Sequence, residues 1–209
     1  MSAFCLINPQ GSEARLWQLI ESRTLPGSDK KKIDKRIWDL FGEEWAVMFT
    51  DLAGFSRHSA AFGILHFLQI IAESKRLFAP ILTDHDGLVL KAVADGMMVL
   101  FRKPTSAIRC AVEMQKLCQK ANDKRMPEDQ ILLCVGIGYG KVLRIGDTDV
   151  FGTEVNAAAK LGEDIAKANE VLVTGSVKGA AEEITGVQYL DIGVAVAGSE
   201  LNYRLKYGR

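Results

Sequence analysis

Long apolar runs are missing from this 209-residue chain. No stretch approaches the roughly eighteen residues needed to cross a bilayer, and the opening MSAFCLINPQGSEAR has no basic segment followed by a hydrophobic one. A soluble, cytoplasmic protein with no membrane span is therefore expected. Net charge is missing as well. Lys+Arg and Asp+Glu both number 26, so the chain has none of the overall basic character that draws a protein to nucleic acid or to an anionic membrane. Cys5, Cys110, Cys118 and Cys134 are scattered without CxxC spacing, and His58, His66 and His85 stand equally isolated. That pattern argues against a disulfide framework or a zinc site and for free, mostly buried thiols. Internal repeats and low-complexity segments are also absent.

What the chain does have is apolar residues, 48% of the total, enough for one globular domain with a short extension. We divide it into a helical extension over residues 1–43 and a main domain over 44–209. Residues 12–42 predict two amphipathic helices broken at Leu25-Pro26-Gly27-Ser28. The first carries Leu16, Leu19 and Ile20, and the second carries Ile33, Ile37, Trp38 and Phe41. The basic run Lys30, Lys31, Lys32, Lys35 and Arg36 reads as the solvated face of the second helix.

The main domain opens on AVMFTDLAGFS at 46–56, a buried strand that ends at Asp51 and turns through a small loop. Asp51 could cap a following helix. Alternatively it is a hard oxygen ligand for Mg2+, with the amides of Leu52, Ala53, Gly54 and Phe55 facing the phosphates that share the metal. Ile64, Phe67, Leu68, Ile71, Phe78 and Leu82 then predict one face of a long helix. Gly87–Val93 and Met97–Phe101 predict a hairpin turning at Ala94-Asp95-Gly96, with Asp95 at its tip. A helix around 108–121 and a strand over 131–137 complete a βαββαβ order. The fold class is α+β: a ferredoxin-like core whose antiparallel-rich sheet carries helices on one face and leaves the other free. A further strand at 141–145, a helix at 153–168, and strands at 170–174, 186–192 and 200–207 are the additional C-terminal elements.

Three segments together resemble the catalytic domain of class III nucleotidyl cyclases, the adenylate and guanylate cyclases. They are FTDLAGFS at 49–56, LKAVADGMMVLF at 90–101, and VGIGYGKVLRIG with DVFGTEVNAAAKL over 135–161. The resemblance implies conversion of ATP to 3′,5′-cyclic AMP and pyrophosphate at sites shared across a homodimer. Asp51 and Asp95 match the family's two metal-binding aspartates, and so imply two Mg2+ or Mn2+ ions. Lys91 and Asp149 match its base-reading pair, a donor and an acceptor suited to adenine. Asn156 matches its ribose-orienting asparagine, and Lys141 a basic residue that contacts the triphosphate in some members.

Three departures stand out. Ala94 replaces the usual glycine before Asp95, Lys160 replaces an arginine that stabilises the α-phosphate, and the loop 193–198 lacks a lysine. They leave open the alternative of a catalytically weak or silent nucleotide-binding regulatory module. An RNA-binding ferredoxin-like domain is disfavoured by the neutral charge and by strands without stacking aromatics.

Overall fold

The computed structural model describes residues 11–54 and 62–208. The chain begins with two helices, α1 (Gly11–Thr24) and α2 (Lys30–Phe41), and passes directly into strand β1 (Gly42–Leu52). The Asp29 side chain starts α2 by accepting from the Lys32 amide at 3.1 Å. Helix α3 (Ile64–Asp84) is followed by the hairpin β2 (Leu88–Val93) and β3 (Gly96–Phe101), then by α4 (Pro104–Asn122) and β4 (Leu133–Ile145). These elements form the βαββαβ core. A short β5 (Asp149–Phe151) leads into α5 (Thr153–Ala159), which widens into a π-helical turn over Lys160–Ile165. The remaining elements are β6 (Val171–Thr174), α6 (Gly175–Ala180), β7 (Val187–Asp191) and β8 (Asn202–Tyr207).

All strands join one sheet in the order β2-β3-β1-β4-β6-β8-β7, with β5 attached to β4. The first four follow the ferredoxin-like order, and every neighbouring pair is antiparallel except β4 with β6. Helices α3 and α4 cover one face, where Ala46, Met48, Val99, Phe101, Val135 and Ile137 belong to the main core. The other face is not wholly free. Val47, Leu100 and Val142 pack there with Val150 of β5 and Val155 of α5. Helices α1 and α2 form a third cluster, in which Leu16, Leu19, Ile37 and Phe41 meet Ile145 at the end of β4.

Two sequence expectations need correction. The predicted strands 131–137 and 141–145 are one continuous 13-residue strand, β4. Its glycines do not mark a loop: Gly136, Gly138 and Gly140 lie two apart and so share one face, and that face carries α5. A Cβ on Gly136 would lie 2.2 Å from the Ala158 carbonyl oxygen, and one on Gly138 would lie 2.3 Å from that of Glu154. Glycine is there to admit a helix backbone against the sheet. The second correction concerns α3. Phe67, Ile71, Phe78 and Leu82 are buried as expected, with Ile70, Ser74 and Ile81 beside them, but Ile64 and Leu68 are half exposed. Leu68 falls at the edge of the buried stripe, and Ile64 lies on the outer side of a first turn whose Phe67 is buried and whose His66 meets the Glu128 carbonyl oxygen at 3.0 Å.

Candidate active site

Asp51 is the penultimate residue of β1, opposite Cys134 of β4. The adjacent residue, Thr50, pairs with Met97 of β3 and accepts from the Met97 amide through Oγ1 at 3.2 Å. This bond ties the β2–β3 hairpin to the end of β1, and its tip brings Asp95 against Asp51. Burial first, then the negative charge of Asp95, pushes the Asp51 carboxyl up to about 6. Two carboxylates that repel one another in a half-buried, all-oxygen setting fit a hard divalent cation, which would remove the repulsion. No group of three or more metal-ligating side chains occurs among the described residues, so the pair offers an open coordination sphere that water and phosphate oxygens would complete.

The hairpin tip has a cost. Ala94 adopts φ +49°, the left-handed region in which a Cβ is strained by roughly 1–2 kcal/mol. The methyl group that distinguishes Ala94 from glycine therefore lies where the backbone favours glycine. The amides after Asp51 are only partly available to a phosphate. That of Ala53 donates to the Leu132 carbonyl at 2.8 Å, continuing the β1–β4 ladder. Gly54, at φ +98°, keeps its amide unengaged among the described residues. Phe55 lies outside the described residues.

The second cluster joins residues 58 apart in sequence. Lys91 Nζ on β2 donates to Asp149 Oδ2 at the start of β5 at 2.6 Å, and the other Asp149 oxygen accepts from the Val150 amide at 2.9 Å. The partner that a lysine inside an apolar strand requires is thus Asp149. Both side chains are about one-third exposed, 39% for Lys91 and 31% for Asp149, so the pair is open to a ligand. Asn156 on α5 is exposed and its side chain makes no hydrogen bond among the described residues. Lys160 opens the π-helical turn and pairs with Asp164 at 2.7 Å, both side chains being more than half exposed. Lys141 is exposed on β4, where its carbonyl oxygen lies beside Gly152 at the start of α5.

One residue that holds this arrangement escaped the sequence reading. Glu154 is buried in the first turn of α5. Its Oε2 accepts from the Tyr139 amide at 3.1 Å and from the Thr174 hydroxyl at 2.8 Å, and its Oε1 accepts from Ser176 at 2.7 Å. The β4–β6 pairing ends at Ile137 and Val173, and Glu154 plugs the fork beyond it, fixing the helix that carries Asn156. Glu163 is also close to the aspartates. Burial first, then the charges of Asp164 and Asp95, raises its carboxyl above the usual range.

The family model for the adenylate and guanylate cyclase catalytic domain matches residues 42–202. The chain belongs to that family. Strands β1 to β7, the hairpin and α5 lie within the matched range, and β8 begins at its last residue. A curated relative named "Putative adenylate cyclase 3", from Rhizobium meliloti (strain 1021), is 30% identical over 149 residues, 71% of this chain. The chain spans only 25% of that relative's length. Among solved structures, an adenylate/guanylate cyclase/hydrolase from Silicibacter pomeroyi aligns with TM-score 0.70 at 23% identity, over 80% of this chain and 98% of that one. The adenylyl cyclase CyaB from P. aeruginosa aligns with TM-score 0.68 at 21% identity, over 80% and 96%. Both share the fold of this cyclase domain. No helix among the described residues is long and apolar enough to cross a membrane.

Proposed function

We propose that this cyclase domain converts ATP to 3′,5′-cyclic AMP and pyrophosphate, and that Lys91 and Asp149 choose adenine over guanine. The observation that supports this reading is the 2.6 Å pair between them. A fixed ammonium can donate to N1 of adenine while the adjacent carboxylate accepts from the exocyclic amine. Guanine offers a protonated N1 and a carbonyl, so it would face both groups with the wrong polarity. In the reaction the ribose 3′-oxygen attacks the α-phosphorus in line, its proton is lost, the bond to the α–β bridging oxygen breaks, and pyrophosphate leaves. Asn156 orients the ribose, Lys160 offsets charge developing on the α-phosphate, and Lys141 with the Gly54 amide contacts the triphosphate. Asp51 and Asp95 would hold two Mg2+ or Mn2+ ions, which when bound acidify the 3′-hydroxyl and neutralise the triphosphate.

We place each site across a homodimer, Asp51 and Asp95 coming from one protomer and Lys91, Asp149, Asn156 and Lys160 from its partner. Mixing Asp51→Asn with Asn156→Ala protein should then restore about a quarter of wild-type activity, because about half the dimers are mixed and each has one intact site of two. No recovery despite subunit exchange contradicts the sharing. The base assignment is tested by Lys91→Glu combined with Asp149→Cys, which should collapse the ratio of ATP to GTP turnover. An unchanged ratio overturns it. A catalytically weak regulatory module is the second reading, favoured by the pairing of Lys160 with Asp164.

A further inference from the structure

A cavity of about 460 Å3 opens on the far side of α4, sharing no residue with either cluster described above. Its volume lies in the range of sites for small organic molecules. The interior is apolar: Ile108 of α4 is fully buried, and Val112, Ile184 and Val187 complete the lining. The rim is cationic. Arg109 and Lys116, seven residues apart and therefore on the same side of α4, both line the opening, and neither makes an ion pair or hydrogen bond among the described residues. Glu113 stands between them in sequence, but its carboxylate is held by His85 at 2.8 Å. Tyr207 also lines the cavity, and burial pushes its phenol up to about 12, so it adds no negative charge at neutral pH.

The geometry points to a binding site for an amphipathic organic anion, a carboxylate with an aliphatic body, whose tail enters between α4 and β7 while its head meets Arg109 and Lys116. Apolar burial supplies the attraction and the two unpaired cations select the sign of the charge. An alcohol of equal length would gain the first contribution only. A cation of equal length would be repelled at the rim. The site is also well placed to be felt elsewhere, because His85 caps α3 three residues before β2 begins its approach to Lys91.

The test is calorimetric titration of the full chain with decanoate below its micelle concentration, beside 1-decanol and decyltrimethylammonium. Decanoate should bind at least about tenfold more tightly than either, a difference of about 1.4 kcal/mol. Arg109→Gln with Lys116→Gln should erase that preference, and Val112→Trp, which fills the cavity, should abolish binding of all three. Because the glutamine changes are at exposed positions without partners among the described residues, they keep the test open if Val112→Trp fails to fold. Equal binding of the ammonium probe, no measurable binding of decanoate, or an unchanged preference in the glutamine variant overturns the assignment.

Discussion

Replacing Gly136 by alanine probes how closely the helix bearing Asn156 is set against the sheet. The added Cβ would lie 2.2 Å from the Ala158 carbonyl oxygen, 2.3 Å from the Gly162 nitrogen and 2.8 Å from its Cα, where ordinary contact begins near 3.4 Å. All three are backbone atoms, so no side chain can swing aside. The helix must retreat by the difference, 3.4 − 2.2 = 1.2 Å. Overpacking of this kind costs about 1–3 kcal/mol, while removing a strand glycine returns roughly 0.5–1 kcal/mol. The net is a loss of about 1–2 kcal/mol, or a Tm lower by roughly 2–8 °C for a chain of this size. Thermal unfolding by calorimetry measures it. Gly179→Ala is the control: nothing lies within 4 Å of its added Cβ on α6, and alanine there should hold or raise Tm. Turnover should fall more steeply than stability in Gly136→Ala, because the same retreat displaces Asn156 and Lys160, and a shift near 1 Å at a reacting group costs on the order of a hundredfold. A Gly136→Ala protein that melts and turns over like wild type would refute the close-approach argument.

Ala94→Gly should relieve the left-handed strain at φ +49° and raise Tm by about 1–3 °C, the strain relief being offset in part by the added freedom of the unfolded chain; a lower Tm in a thermal melt counts against it. Asp164→Asn should release Lys160 from its 2.7 Å pair and raise kcat by roughly twofold, the equivalent of an i,i+4 ion pair worth about 0.3–0.5 kcal/mol. Lys160→Ala should lower kcat at least about tenfold with little change in KM, and steady-state kinetics matching wild type would leave Lys160 as half of a surface ion pair.

The parts of this fold that were legible in the sequence carry local signals. The apolar run before Asp51 and the Ala-Asp-Gly turn before β3 each announce an element and its end, so both carboxylates were placed correctly at the ends of strands. The glycines of β4 misled because glycine reads as a breaker when nothing shows what packs on it, and α5 comes thirteen or more residues later. Glu154 was invisible for a similar reason. An acidic residue in the first turn of a helix ordinarily faces solvent, and only the folded chain brings Thr174 and Ser176 to its oxygens. The Lys91–Asp149 pair follows from no local pattern and came from the family resemblance alone.

The central claim is that this chain cyclises ATP at a carboxylate-bound metal centre. It is tested most directly by incubating the purified protein with equimolar ATP and GTP and Mg2+ or Mn2+, and identifying the products by mass. Cyclic AMP should predominate, should vanish when EDTA removes the metal, and should be absent with Asp51→Asn, whose amide cannot supply the charge that holds a hard cation. No cyclic nucleotide from wild type under either metal, cyclic GMP equal to or above cyclic AMP, or undiminished product from Asp51→Asn would contradict the account.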